Sequence, residues 1–146
     1  MNRFAYIGRN DHGKGLAILT SAFRNLAGFP LELHVFSESI DVESPNVIWH
    51  GWVDREQIWS ADFNYVCLPM TAPETYCFAL HEAVKHGKGL IVNGENESLI
   101  SQISSGAHIY HGHDALRDVL IHFAVNKTLD VQEIILNRKR SIWTKI

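Results

Sequence analysis

Short apolar runs alternate along this chain with longer segments of helical period. The runs cover residues 4–8, 31–37, 47–51, 65–70, 90–93 and 108–110. This alternation is the pattern of a parallel sheet with crossover helices. The segments between them, 15–26, 55–61, 78–86, 98–104 and 115–126, predict helices, whereas 38–46 is too polar for a helix to be assigned. Strand alternating with helix predicts an α/β fold: a Rossmann-like open parallel sheet of about six strands with helices on both faces. Gly28 and Pro30 close the first helix, Gly87 and Gly89 follow the helix after the fourth run, and Asp54 and Asp114 are candidate N-caps. A terminal helix is expected over residues 131–146, with Ile134, Ile135 and Ile142 apolar and Arg138, Lys139 and Arg140 clustered.

Composition narrows the class. At 146 residues, 46% hydrophobic and 20% charged, residues 1–146 are expected to form a single domain whose core needs no disulfide or structural metal. The formal charge of -3 offers no general attraction for nucleic acid or anionic membrane, so a phosphate ligand would have to be held locally. Cys67 and Cys77 have neither C-x-x-C nor metal-ligand spacing, which makes reduced thiols in a cytoplasmic compartment the default. No run of about 18 apolar residues is present, so membrane contact is expected to be peripheral at most.

In an open doubly wound sheet the first and fourth strands lie side by side, and ligands bind outside their carboxyl ends. That singles out loops 8–15 and 70–78. The first reads GRNDHGKG and leads straight into a helix. Gly8 and its fellow glycines let the backbone approach a ligand, the helix start is electropositive, and Arg9 and Lys14 add two cations, which together suit a diphosphate. The loop is neither a P-loop nor G-x-G-x-x-G. A surface turn with solvated charges is the other reading of this loop taken alone.

The second loop lies in PMTAPETYCFALHEAVKHG, residues 69–87, with Glu74 near the strand exit and Glu82 inside the helix that follows. A helix starting near Tyr76 or Cys77 would aim its free N–H groups into the same crevice. Carboxylates at the mouth and in the first turns can accept bonds from sugar hydroxyls. Taken singly, Glu82 also reads as a solvent-facing helix residue and Glu74 as an acid at a helix N-terminus.

Together the loops resemble the carboxyl-terminal, donor-binding domain of family-four retaining glycosyltransferases of the GT-B fold. The resemblance runs through F-A-Y-I-G-R with K-G at residues 4–15, V-I-W-H-G-W-V at 47–53, A-D-F, L-P-M and P-E within 61–74, and E-A-V-K-H-G at 82–87. Its most specific element is the pair of glutamates separated by seven residues, Glu74 and Glu82. The resemblance implies that Arg9 and Lys14, with Gly8, bind the diphosphate of a nucleoside diphosphate sugar and stabilise the charge that builds as the sugar leaves. Such catalysis needs no metal and no cofactor, the nucleotide sugar being a substrate. Glu74 would hold hexose hydroxyls, Glu82 the ribose, main chain near Trp52 and Val53 the base, and amides of Tyr76, Cys77 and Phe78 the phosphates and sugar. It further implies hexose transfer to a glycan or lipid-linked acceptor held by a separate, N-terminal acceptor domain outside this chain, at a cytoplasmic site or the inner face of a membrane. The chain alone is expected to bind donor without efficient turnover.

Two departures stand out. Thr75-Tyr76-Cys77 replaces the Gly-Phe-Gly common after the first glutamate, and Gly89 replaces a usual proline. The altered loop supports a competing class, a non-catalytic binding module on the same fold. Other chemistries fit less well. His108, His111 and His113 cluster without a partner at metal-ligand spacing, and His81 and His86 are about 140° apart on a helix, too far around to share a zinc. Glu74 and Glu82 as a glycosidase pair would leave Arg9 and Lys14 unexplained. Cys77 with His81 four residues on lacks an orienting third group.

Overall fold

The computed structural model describes residues 2–11, 13–38, 44–103 and 106–125. The expected terminal helix over 131–146 and its basic cluster lie outside these residues. Among the described residues six strands form one sheet: β1 (Asn2–Ile7), β2 (Leu31–Phe36), β3 (Val47–Trp49), β4 (Tyr65–Leu68), β5 (Gly89–Asn93) and β6 (Ala107–Tyr110). All named strands pair in parallel, in the order β3-β2-β1-β4-β5-β6. The first and fourth strands are therefore neighbours, and the chain reverses its direction of growth between them, as the strand pattern predicts.

Central strands are apolar on both alternations because both faces are covered. In β1, Phe4, Ala5 and Tyr6 are all fully buried. Phe4 and Tyr6 belong to a core shared with α1 (Leu16–Arg24) and α5 (His113–Val125), through Leu16, Leu19, Phe23, Leu116, Val119, Leu120 and Phe123. Ala5 faces the opposite core, built with α2 (Arg55–Ser60), α3 (Phe78–Lys85) and α4 (Glu97–Ile100) from Ile58, Leu80, Ala83 and Leu99. Within the first core the Phe4 ring meets Phe23, Tyr65 and Phe123 at centroid separations of 5.4, 5.3 and 5.3 Å. Burying one such ring contributes about 2 to 3 kcal/mol.

Three local expectations change. Among the described residues, 98–103 do not continue as one helix: α4 is a single turn over Glu97–Ile100, and the Ser98 and Gln102 side chains bond to the main chain of Glu74. Asp114 is not a cap but a first-turn residue, since α5 opens at His113; its charge still suits the helix start. Gly89 is the first residue of β5 and not part of a connection; it pairs with Tyr65, and a Cβ there would lie 2.5 Å from the Tyr65 ring. By contrast Asp54 is the N-cap of α2, with its N–H donated to Gln57 Oε1 at 3.2 Å.

Candidate functional site

The exits of β1 and β4 form one interlocked unit. Gly13 carbonyl oxygen accepts the N–H of Thr71 at 2.8 Å and of Ala72 at 3.0 Å. Gly15, the N-cap of α1, has φ +78°, and a Cβ on it would lie 2.2 Å from the carbonyl oxygen of Pro69, so only glycine fits. This contact carries Lys14 over the second loop, where its ammonium is ion-paired and hydrogen-bonded to Glu74. Both side chains are mostly withdrawn from solvent, 29% exposed for Lys14 and 15% for Glu74. Two residues singled out sixty positions apart in the sequence thus meet at the switch point.

Arg9 shares the loop but not this contact. Its guanidinium pairs with Asp11 at 3.2 Å and is 70% exposed, while its carbonyl accepts the Tyr6 hydroxyl. Burial first, then the charges of Glu38, Glu74 and Asp11, push the Tyr6 phenol well above its ordinary range. Carboxylates therefore crowd the mouth beside β1.

The second loop is held from behind by polar side chains at the end of β5 and just beyond it. Asn93 and Asn96, both buried, donate to Met70 carbonyl oxygen at 3.1 and 3.0 Å, and Asn96 also to that of Ala72 at 2.9 Å. Glu74 N–H is donated to Ser98 Oγ at 2.8 Å, and Ser98 in turn donates to Asn96 Oδ1 at 2.6 Å. Gln102 donates to Glu74 carbonyl oxygen and accepts Cys77 N–H, each at 2.8 Å. Glu74 is thus pinned by its own main chain on both sides. Sequence reasoning missed this cage; its signal is the polar run N-G-E-N-E-S directly after a buried strand.

Glu82 projects from α3 toward α2, where Oε1 pairs with Arg55 at 2.8 Å and Oε2 accepts the Trp59 indole N–H at 2.6 Å. It is neither bare nor solvent-facing. Trp52 is half exposed, and its indole N–H is donated to Glu38 Oε2 at 3.1 Å; Glu38 Oε1 accepts the N–H of Asn10 at 3.0 Å. Glu38 so ties the β1 and β3 exits together, a role the sequence did not suggest. Val53 packs on the α2–α3 core.

At the start of α3, Cys77 is the N-cap and buried, and Tyr76 and Phe78 are exposed. The Cys77 N–H, expected to approach phosphate, is already donated to Gln102, because a side-chain acceptor lies within reach behind the loop. Burial raises the Cys77 thiol above its ordinary range, and His81 stacks on Tyr76 at 4.2 Å and faces Gln102 at 3.3 Å, so the cysteine–histidine alternative loses both its thiolate and its base. Among the described residues no three His, Cys, Asp or Glu come together as metal ligands; His108 is buried beside Phe123, and His111 pairs with Glu95. No helix among them is long and apolar enough to cross a membrane. A concavity of about 450 Å³ between α1 and α5, lined by Ile18, Ser21, Asn25, Asp114 and Arg117 among others, contains none of the site residues.

No protein-family model matches the chain, and no curated protein matches it by sequence. Solved structures do. HepE of Anabaena, solved with UDP and glucose, superposes with a TM-score of 0.66 at 17% identity over 93% of this chain and 44% of HepE. Sucrose-phosphate synthase from Thermosynechococcus elongatus gives 0.64 at 18% identity, covering 99% of this chain and 46% of the synthase. A trehalose-6-phosphate synthase, studied for glycosyl transfer with retention, gives 0.68 at 12% identity over 94% and 40%. The chain spans less than half the length of each. At such identities the shared property is the fold, a Rossmann-like half of the GT-B architecture.

Proposed function

We propose that this chain binds a nucleoside diphosphate sugar across the exits of β1 and β4 and serves as the catalytic half of a retaining glycosyltransferase, passing a hexose to a glycan or lipid acceptor held by a second domain. The single observation that carries this is the meeting of Lys14 and Glu74 at the sheet's switch point, a cation for phosphate beside a carboxylate for sugar hydroxyls. As the bond from the anomeric carbon to the diphosphate oxygen breaks, negative charge grows on the diphosphate. Lys14, Arg9 and the start of α1 stabilise it without a metal. Glu74, fixed by Ser98 and Gln102, orients the hexose. Glu82 takes the ribose, and main chain at Trp52 and Val53 bounds the base. HepE, solved with UDP and glucose, supports a donor of this class.

A thermal-shift panel of UDP, GDP, ADP and their sugar conjugates tests the binding step: a conjugate that raises Tm in proportion to the logarithm of its concentration is expected. Anomeric configuration of a product formed with an acceptor domain, read by NMR, tests retention. One observation favours a second reading, a binding module without turnover: the Cys77 amide is committed to Gln102. Donor binding with no transfer or hydrolysis in any acceptor-domain combination would select it.

A further inference from the structure

We infer that the Lys14–Glu74 pair is a selectivity device that sets the affinity for free nucleoside diphosphate below that for the sugar conjugate, so that the leaving nucleotide is expelled once its sugar has gone. The inference rests on the donor-site reading above. Arg9 and Lys14 of the first loop each have an acid beside them, Asp11 and Glu74 respectively. The two pairs differ in how easily they part. Asp11 is 48% exposed and can turn into water, whereas Glu74 is 15% exposed and its main chain is bonded to Ser98 on one side and Gln102 on the other.

A diphosphate that takes Lys14 therefore strips Glu74 of its cation while bringing negative charge beside a carboxylate that cannot withdraw. Water reaches so sheltered a carboxylate poorly, and losing a partner there is costly. A donor that carries its hexose offers the displaced carboxylate hydroxyl donors in exchange; free nucleotide, whose hydroxyls lie on the ribose at Glu82, brings none to Glu74. One residue thus opposes the product and welcomes the substrate, a difference of affinities set by a repulsive element as well as an attractive one.

Calorimetry with UDP and UDP-glucose on the wild-type chain, Glu74→Gln, Lys14→Ala and the double variant tests this. Glu74→Gln is expected to bind UDP about threefold to tenfold more tightly than wild type, the range of a partly sheltered ion pair, and to lose most of the preference for UDP-glucose. With Lys14→Ala already in place, the same change should tighten UDP by less, since the competition is for Lys14. Tightening cannot come from a damaged fold, which only weakens binding. Glu74→Asp, keeping the charge on a shorter arm, should fall between wild type and Gln. If wild type binds both ligands and Lys14→Ala weakens both, yet Glu74→Gln leaves UDP unchanged or weaker, the selectivity device is wrong and the donor site stands. If wild type binds neither UDP, GDP, ADP nor their sugar conjugates, both fall.

Discussion

Gly15 and Gly89 are the positions where one added carbon does most harm. At Gly15 an alanine meets the Pro69 carbonyl and a backbone conformation it resists, so Gly15→Ala should cost about 2 to 3 kcal/mol and part the two loops. At Gly89 the obstacle is the Tyr65 ring, itself held against Phe4 and Phe123, and about 1 to 3 kcal/mol is expected for alanine. Chemical denaturation of both variants checks these values, and nucleotide binding separates them: Gly15→Ala should lose it while Gly89→Ala keeps it. Of the two, Gly15 was legible in the sequence, sitting where a charged loop meets a helix. The requirement at Gly89 was not, because Tyr65 is its neighbour only across the sheet.

The two glutamates divide in the same way. Glu82→Gln should weaken UDP and UDP-glucose equally, by about threefold to thirtyfold for a charged hydrogen bond to ribose, since both ligands carry that sugar. Unequal losses in calorimetry would move Glu82 out of the ribose subsite. Its partners Arg55 and Trp59 come from a helix that sequence spacing could not align with α3, so the sequence showed the acid and not what aims it.

Among elements, the strands were the most readable. Burial of the sheet writes each as a short, mostly apolar run, which is why all six strands and the adjacency of the first and fourth follow from pattern and topology rules alone. The short α4 was misread because its work is polar. Asn96, Ser98 and Gln102 bond to main chain some 24 to 28 residues away, a relation that no local period records. This cage predicts that Gln102→Ala, by releasing both Glu74 carbonyl oxygen and Cys77 N–H, costs about 1 to 3 kcal/mol. Amide exchange should report it directly: Cys77 N–H loses protection in the variant while β1 amides keep theirs once exchange is referred to global stability. Equal loss everywhere would make Gln102 a general stabiliser and not a clamp on the loop.

At the scale of the molecule, burial of ionisable groups makes stability fall on the alkaline side. Tyr6, Tyr110, Cys67 and Cys77 all have their proton affinity raised, chiefly by burial. A group whose folded pKa lies above its unfolded value stabilises the fold fully below the unfolded value, and that contribution is lost as pH rises toward the folded one. Decline in Tm should therefore begin near pH 8.5 for the thiols and steepen near 10 for the phenols. A flat profile from pH 8 to 11 would contradict the burial of these side chains. Both thiols should likewise resist alkylation until the chain unfolds.

The placement of the site at the exits of β1 and β4 is tested most directly by titrating UDP-glucose into isotope-labelled protein and following backbone amide shifts. The largest changes should fall in residues 8–15 and 72–78, with smaller ones near Trp52 and Glu82. Shifts centred instead on Ser21, Asn25 and residues 113–117, in the concavity between α1 and α5, would contradict the account, as would the absence of any shift with UDP-glucose, GDP-glucose and ADP-glucose alike.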